Sequence, residues 1–530
     1  MSIPERHILR LLSQLDRNPL SPYYGCFHRD FWHYRMASDF PSAVFQMGAL
    51  SLALLYARTL NERGYRNREL RESLEAAVRF WASIQEKDGS FNEWYPHEHS
   101  HVATAFTTWG ISEALLAVPE EDRIPLLKIA GTAFRKAAAF LAKNVDTLAM
   151  NHTAGAIAAL FNLHLLTGED FYLKAMEKSR RALLSGQDPE GWYPEYGEFD
   201  AGYQSLSIFF LAQYWKKSGD VPIRESLARA TSFLKHFVHP DGTVGGGYLS
   251  RDTAYLFRYG FFLLIPELRD AAFLLGNIRH EQTVTLDCVD DRYFLFFFLP
   301  DFLLSWDQPP LAQDTFPDSG EQVCSFPRSG LLIRRTAGYH FIVNLKKGGA
   351  LKLFNRHTGH CVLSSLGYMV PETAGKISAT AGFGGSEYTI ETGEDEVRIR
   401  EKARFLRYDP RNPLASYFIP FRVFNHLLER FYAVHRPFER FLKLKKVKRN
   451  LPARGWLTRE IKLTASAVEL IDDCSQLPPG CQSVFEILDL GLRFVPSSRF
   501  ARAGEAELVS CRELDPSGKN ELRIQRKFDF

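Results

Sequence analysis

Between residues 40 and 310, the apolar residues recur at the spacing of an α-helix, at positions i, i+3 and i+4. Four segments carry this one-sided pattern: residues 44–60, 68–85, 127–144 and 171–187. Two others, 154–166 and 204–214, are apolar nearly all round, as expected of a helix that other helices enclose. Amphipathic and enclosed helices therefore alternate along this part of the chain.

Three short turns recur within the helical part: QEKDGSF (85–91), QDPEGWY (187–193) and HPDGTV (239–244). Each contains a Gly and an acidic residue, ends a predicted helix, and precedes a polar, aromatic-rich loop and another helix. Helical hairpins that recur roughly every fifty residues predict an α/α solenoid or a closed α/α toroid. In a toroid, the loops at one end of the inner helices line a cleft.

Beyond residue 320 the apolar period changes to two, which predicts antiparallel β-strands. We therefore expect a multidomain α+β protein, with an α/α toroid (an incomplete barrel of helical hairpins) followed by a β-sandwich. The expected boundaries are an N-terminal arm at 1–40, a catalytic toroid at 41–308, a linker at 309–323 and the β-sandwich domain at 324–530. Within the last domain, residues 418–450 resemble a basic, amphipathic helical insertion.

Composition narrows the class of protein. The 530 residues include 65 Lys and Arg and 62 Asp and Glu, and this small net charge does not suit a dedicated nucleic-acid binder. Seven dispersed cysteines predict reduced thiols, not disulfides or a zinc site. With no recognisable secretory signal, we expect a cytoplasmic protein, or a periplasmic one if the native N-terminus differs. The most apolar stretch, 294–306, is too short to span a bilayer.

Polar and aromatic residues concentrate in the loops that precede the enclosed helices. In chain order, these candidate site residues are Trp94, His99, His101, Asn151, His152, Tyr193, Glu195, Tyr196, Tyr203, Tyr248 and Arg251. In a toroid their loops converge on one rim. Aromatic rings with a few polar groups suit a sugar chain, because each sugar ring has an apolar face and a hydroxyl edge.

Several of these residues also have a purely structural interpretation. Asn151 is a good N-cap for the helix that follows it, and Tyr203 taken alone fits a core position better than a catalytic one. The HEHSH stretch (97–101) has a spacing like that of metal ligands, but no carboxylate set accompanies it. We therefore expect no metal and no other cofactor, and the convergence of the loops is what favours a site.

Asn151 precedes Tyr203 by 52 residues, and the β domain supplies histidines in LFNRHTGHCVLSSLGYMV (353–370). In this architecture and spacing, the chain resembles the heparinase II/III-type polysaccharide lyases and the related oligoalginate lyases. The resemblance spans roughly residues 40–400. It implies cleavage of an acidic polysaccharide or oligosaccharide by β-elimination at a uronic acid.

The resemblance also implies roles. Asn151 would neutralise the uronate carboxylate, and Tyr203 would protonate the leaving oxygen, acting also as the base in a syn elimination. His152 or a β-domain histidine would be the base for the opposite face, with His360 preferred because a strand follows it directly. Arg251 would stabilise ionised Tyr203 or hold a neighbouring carboxylate. The expected substrate contacts are His99, His101, Trp94, Tyr193, Glu195, Tyr196, Tyr248 and His357.

Other functions fit parts of the same pattern. A uronate C5-epimerase would use the same residues and return the proton to the other face, and a non-catalytic component of exopolysaccharide metabolism would only bind the acidic glycan. Terpene cyclases share the toroid, but their DxDD motif is absent here. The basic stretch 436–449 suits peripheral contact with an anionic membrane, a platform for acidic glycan, or a solvated basic face.

Overall fold

The computed structural model describes residues 5–59, 65–279, 284–309, 322–372, 375–408, 418–429, 437, 451–478, 481–488, 511–514 and 521–530. Within these ranges, a helical N-terminal part is followed by an antiparallel β domain. Both parts of the predicted fold class are therefore confirmed.

The helical part begins with an arm that carries α1 (Glu5–Gln14) and α2 (Arg29–Trp32). A 3₁₀ turn, Ala43–Met47, then leads into a series of helical hairpins. The inner helices are α3 (Gly48–Thr59), α5 (His101–Ala117), α7 (Met150–Thr167), α9 (Ala201–Ser218) and α11 (Tyr259–Leu264). The outer helices are α4 (Tyr65–Ser83), α6 (Glu120–Lys143), α8 (Asp170–Gly186), α10 (Val221–Leu234) with a 3₁₀ turn at Lys235–Phe237, and α12 (Arg269–Asn277). Each inner helix packs against the next inner helix.

The last helices of this part meet the first ones. They are α13 (Asp291–Tyr293), a π-helical turn (Phe294–Phe298) and α14 (Leu299–Leu304). Helix α14 packs against α3, and the π-helical turn packs against the first 3₁₀ turn. The arm covers this junction, since Arg6 and Arg10 of α1 form ion pairs of 3.0 and 2.7 Å with Asp287 and Asp291. The hairpins therefore form a ring, as the predicted toroid requires.

The inner helices are buried because their side chains are small or apolar on every face. Residues 153–160 of α7 and 204–214 of α9 are all buried, which confirms the two segments predicted to be enclosed, apart from the end of the first. Helices α5 and α7 also approach closely at Gly155, where a Cβ would lie 2.4 Å from the Phe106 ring. A larger residue at that position would force the two helices apart.

The recurring turns share one hydrogen-bonding device. In the first, Gln85 Nε2 donates to the carbonyl oxygen of Gly89 at 3.0 Å and to that of Ala133 in the next outer helix. In the second, Gln187 Nε2 donates in the same way to Gly191, at 2.9 Å, and to Ser226. Both glycines have a positive φ, of 95° and 110°. The repeat seen in the sequence is therefore a repeat in the structure.

The β domain consists of two sheets. The first has the order β1 (Gln322–Phe326), β2 (Leu331–Arg335), β3 (Tyr339–Asn344), β4 (Ala350–Asn355) and β5 (Cys361–Ser365). The strands of the second sheet are β6 (Tyr368–Pro371), β7 (Ile377–Ala379), β8 (Ser386–Thr392), β9 (Val397–Tyr408), β10 (Leu451–Leu463), β11 (Ala467–Ser475), β12 (Val484–Ile487), β13 (Cys511–Leu514) and β14 (Leu522–Asp529). Their order is β13-β12-β6-β7-β9-β10-β11-β14, and β8 pairs with β9. Phe341 and Leu353 of the first sheet share a core with Ile399 and Ile461 of the second.

A helix is inserted between β9 and β10, where the sequence predicts one. It is α15 (Phe418–Phe424), and it continues as a π-helical turn at Asn425–Glu429. Apart from Pro437, the basic stretch 436–449 and its predicted membrane contact lie outside the described residues. In the described part of the chain, no helix combines the length and the apolar character needed to cross a membrane.

The β domain rests on the toroid at the loops that precede or follow its inner helices. Lys347 Nζ donates to the carbonyl oxygen of Gly247 at 2.6 Å, and Asn344 Nδ2 donates to that of Tyr248 at 2.9 Å. On a neighbouring loop, Arg328 pairs with Asp188 at 2.7 Å. The first two contacts hold the loop at 245–253 against the β domain, and the third holds the turn that contains Asp188.

Candidate active site

The candidate residues meet at the end of the toroid where the inner helices begin. Because an outer helix returns the chain between consecutive inner helices, the inner helices start at the same rim. His101 begins α5, Asn151 and His152 lie in the first turn of α7, and Tyr203 lies in the first turn of α9. The positive ends of three helix dipoles therefore face the same region, which favours a negatively charged ligand.

Asn151 is not the N-cap of α7. Ala149 occupies that position and caps the helix without a side-chain bond. The Asn151 side chain instead donates from Nδ2 to Oε2 of Glu195, at 2.7 Å. Only 2% of Asn151 and 5% of Glu195 are exposed. The expectation that Asn151 is the N-cap of this helix is therefore wrong.

Glu195 reaches Asn151 because the loops before α7 and α9 pair with each other. Ala149 and Glu195 form an antiparallel bridge, and the backbone nitrogen of Tyr196 donates to the carbonyl oxygen of Leu148 at 2.6 Å. Burial raises the pKa of Glu195 to about 7, although the positive charge of Arg251 opposes the shift. This carboxyl group is therefore close to the midpoint of its titration at neutral pH.

Arg251 joins the pair from the fourth loop. Its Nε lies 3.7 Å from Oε1 of Glu195, and its guanidinium carbon lies 4.5 Å from the centre of the Tyr196 ring. Its backbone nitrogen donates to Asp200 Oδ2 at 3.2 Å, which anchors this loop to the start of α9. Asn151, Glu195 and Arg251 thus follow one another in a row, from the first turn of α7 through the loop before α9 to the loop at 245–253.

Asp200 positions Tyr203. It is the N-cap of α9, and its Oδ1 accepts a hydrogen bond from the Tyr203 backbone nitrogen at 3.1 Å. Thr253 Oγ1 donates to the same oxygen at 2.5 Å. Burial raises the pKa of Asp200, and these hydrogen bonds oppose that effect. An Asp immediately before a helix is a common N-cap, so the sequence itself carries the signal for this role of Asp200.

His152 is held by a carboxylate that the sequence analysis did not single out. Its Nδ1 lies 2.9 Å from Oδ2 of Asp146, in the loop before α7. The His101 ring lies 6.4 Å from the His152 ring, centre to centre, and nearly parallel to it. A histidine held at Nδ1 by a carboxylate presents Nε2 in a fixed direction, as a general base requires.

Trp94 lies farther along the rim, with 45% of its surface exposed. The guanidinium carbon of Arg292 lies 3.5 Å from the centre of its ring. Arg292 also pairs with the buried Glu93. Glu93 in turn accepts a hydrogen bond from Ser100, the N-cap of α5, so Trp94 is linked to the helix that His101 begins.

Other predicted site residues lie away from this group. Tyr193 and Tyr248 are core residues, whose hydroxyls lie 2.6 Å from Ser226 Oγ and 2.9 Å from His239 Nε2. His99 is buried in the first loop, 2.8 Å from Asp88. In a sequence, an aromatic or histidine residue of such a loop looks the same whether it faces a cleft or the core.

His357 and His360 are the two candidate site residues that the β domain supplies. Both are exposed, on the turn that joins β4 to β5. Asn355 Oδ1 accepts the backbone nitrogen of His357, which shapes the turn, and the turn lies against the backbone of Pro240. The structure therefore places both histidines on an exposed turn of the β domain that lies against the toroid at Pro240.

Two solved structures that resemble this chain are polysaccharide lyases. Heparinase III matches with a TM-score of 0.51 and 11% identity over 85% of this chain, and the chain spans 65% of its length. A mutant chondroitin AC lyase of Streptomyces coelicolor A3 matches with a TM-score of 0.50 and 11% identity, over 92% of this chain and 67% of that one. The fold is that of heparinase-type polysaccharide lyases.

The resemblance stated from the sequence is thus confirmed at the level of the fold. Heparan sulfate lyase HepC from Pedobacter heparinus also aligns, at 10% identity over 92% of this chain and 71% of that chain, with a TM-score of 0.44. No protein-family model matches the chain, and no curated protein sequence matches it. At these identities the comparison shows the fold alone.

Proposed function

We propose that this protein cleaves uronic-acid-containing glycans by β-elimination, at the rim formed by the starts of α7 and α9 and the loop at 245–253. The observation that carries the proposal is the buried hydrogen bond between Asn151 and Glu195, beside Arg251. An elimination next to a carboxylate needs a donor that stabilises the charge developing on that carboxylate. A buried amide of fixed orientation is such a donor.

Asn151 has the geometry for this role. Its amide nitrogen carries two hydrogens, and ionised Glu195 can only accept, so in that form Glu195 holds one N–H and fixes which way the amide points. The second N–H is then the donor for the substrate carboxylate. The positive end of the α7 dipole adds to the stabilisation of that negative charge.

The proton transfers are assigned to His152 and Tyr203. In the reaction, His152 Nε2 takes the C5 proton, the electron pair forms the C4–C5 double bond, and the bond from C4 to the leaving oxygen breaks. Tyr203 gives its hydroxyl proton to that oxygen. Two observations support the assignment: Asp146 orients His152, and Asp200 holds the helix start that carries Tyr203.

The proposal is tested by following the ultraviolet absorbance of the unsaturated uronate product. The substrates are alginate, glucuronan, heparan-type and bacterial acidic polysaccharides, together with their oligomers. We expect the absorbance to rise with wild type and with the control Tyr193→Phe, whose hydroxyl is in the core, and not with Asn151→Ala or Tyr203→Phe.

No rise on any substrate would refute the lyase assignment. Uptake of solvent deuterium at C5 would then indicate epimerisation, and binding without exchange would indicate a glycan-binding protein. A rise that survives both site variants would place the reaction elsewhere in the molecule.

A further inference from the structure

Helix α15 comes from the β domain but packs on the toroid. Its Phe421 ring lies 5.2 Å from the Tyr95 ring, in an edge-to-face arrangement. In the π-helical turn that follows, the His426 ring lies 6.2 Å from the His97 ring. The insertion therefore reaches the toroid loop that leads into α5.

An ion pair and a histidine contact hold the same insertion on a second loop, at the end of the N-terminal arm. Arg422 Nη2 lies 3.3 Å from Oδ1 of Asp39, and His426 Nε2 lies 3.6 Å from Oδ2 of that residue. The Arg422 guanidinium carbon is also 5.8 Å from the centre of the Phe40 ring. Aromatic and ionic contacts on two loops indicate a docked element with a defined position.

The two loops that α15 covers lead into α3 and α5, at the rim where Asn151 and Tyr203 also lie. The β domain covers the rim on the other side, through the hydrogen bond from Lys347 to Gly247. Asn151 and Glu195 are almost completely buried. A polymer bound at the start of α7 and running on past the starts of α5 and α3 would meet the loops that α15 covers.

We propose that α15 is an end wall that restricts the site to the terminal sugars of an acidic glycan, so that cleavage proceeds from a chain end. This inference rests on the proposed lyase function and adds the class of substrate, namely chain ends and short oligosaccharides. The end wall is residues 418–429, and its contacts are those of Phe421, Arg422 and His426.

The first test compares product sizes during digestion of an acidic polysaccharide that gives an absorbance signal. Wild type is expected to release its smallest product from the earliest time points, while the viscosity of the solution falls slowly. The double variant Phe421→Ala/Arg422→Ala is expected to release products of intermediate length and to lower the viscosity sooner at equal absorbance.

Two further variants separate the end wall from a general loss of structure. Tyr95→Ala removes the same contact from the toroid side and should shift the products in the same direction. The control Ile419→Ala/Arg400→Ala changes exposed side chains of α15 and β9 and should keep the wild-type products. The proposal would be overturned if wild type released long products early. It would also be overturned if the products of both Phe421→Ala/Arg422→Ala and Tyr95→Ala were those of wild type.

A second readout does not depend on catalysis. Two oligouronide probes carry a bulky fluorophore, one at the reducing end and the other at the non-reducing end. We expect wild type to bind only one of them and the double wall variant to bind both. Equal binding of both probes by wild type would refute the end wall. If wild type bound only one probe but produced no rise in ultraviolet absorbance, only the lyase function would be refuted.

Discussion

Replacing Glu195 with Gln should make the protein less active and, above neutral pH, more stable relative to wild type. Burial raises the pKa of Glu195 from its usual 4.5 to about 7. At about 1.4 kcal/mol per pH unit, that rise corresponds to about 3 kcal/mol. Above about pH 7, the folded wild-type protein therefore holds an ionised carboxylate at an unfavourable buried position, beside Asn151 and Arg251.

The sign follows from proton binding. Below about pH 4.5, Glu195 is protonated in both the folded and the unfolded state. Between that value and about pH 7 the folded state binds more protons, so the free energy of unfolding of wild type falls as the pH rises. Gln cannot ionise, so the difference between Glu195→Gln and wild type should grow by about 3 kcal/mol from pH 4.5 to pH 8.

The assay is urea-induced unfolding of both proteins, followed by tryptophan fluorescence across that pH range. The pH-dependent part of the difference is the informative quantity, because effects of the substitution that do not involve the charge of Glu195, such as altered packing, contribute equally at every pH. A difference that stays constant with pH would refute the reasoning, since Glu195 would then not titrate against its burial. In the same variant, kcat should fall more than KM changes, because the amide of Asn151 loses its charged acceptor.

Three other predictions follow from named contacts. Asp146→Asn should lower kcat on the order of 10²- to 10⁴-fold, because His152 loses the carboxylate that orients it. The circular dichroism spectrum should stay that of the folded protein, and an unchanged kcat in this folded variant would contradict the prediction. Asp472→Asn should destabilise the β domain by about 3–5 kcal/mol in urea unfolding, because buried Arg459 pairs with it at 2.7 Å; a loss under about 1 kcal/mol would be inconsistent with the pairing. Gly191→Ala should lower the melting temperature, because a Cβ there would lie 2.5 Å from the carbonyl oxygen of Arg229; no change in melting temperature would count against that close contact.

The architecture was largely readable from the sequence. A helix that is apolar on all faces has no face to expose, so the patterns at 154–166 and 204–214 predicted the inner layer of the ring. The repeated turns were equally informative, because Gly89 and Gly191 adopt a backbone conformation that other residues rarely take. The period of two beyond residue 320 likewise predicted strands with one buried face, and β9 is such a strand.

The candidate site was readable only in part. The spacing of Asn151 and Tyr203 in the chain identified two residues that lie in the first turns of neighbouring inner helices. The hydrogen-bond partners of the site residues were not apparent from the sequence. Asp146 lies beside Nδ1 of His152, and Glu195, expected as a substrate contact, accepts a hydrogen bond from Asn151. Such pairs depend on how two loops pair with each other, which no local pattern reports.

The sequence by itself determined the order of helices and strands, the enclosed inner layer and the polar loops at its rim, because apolar periodicity reports burial within a single element. The tertiary structure alone decided that Tyr193 and Tyr248 face the core, that Asn151 meets Glu195, and that α15 returns to the toroid. These outcomes depend on contacts between residues far apart in the chain. Their free energy is gained only when the ring closes and the β domain docks on its rim.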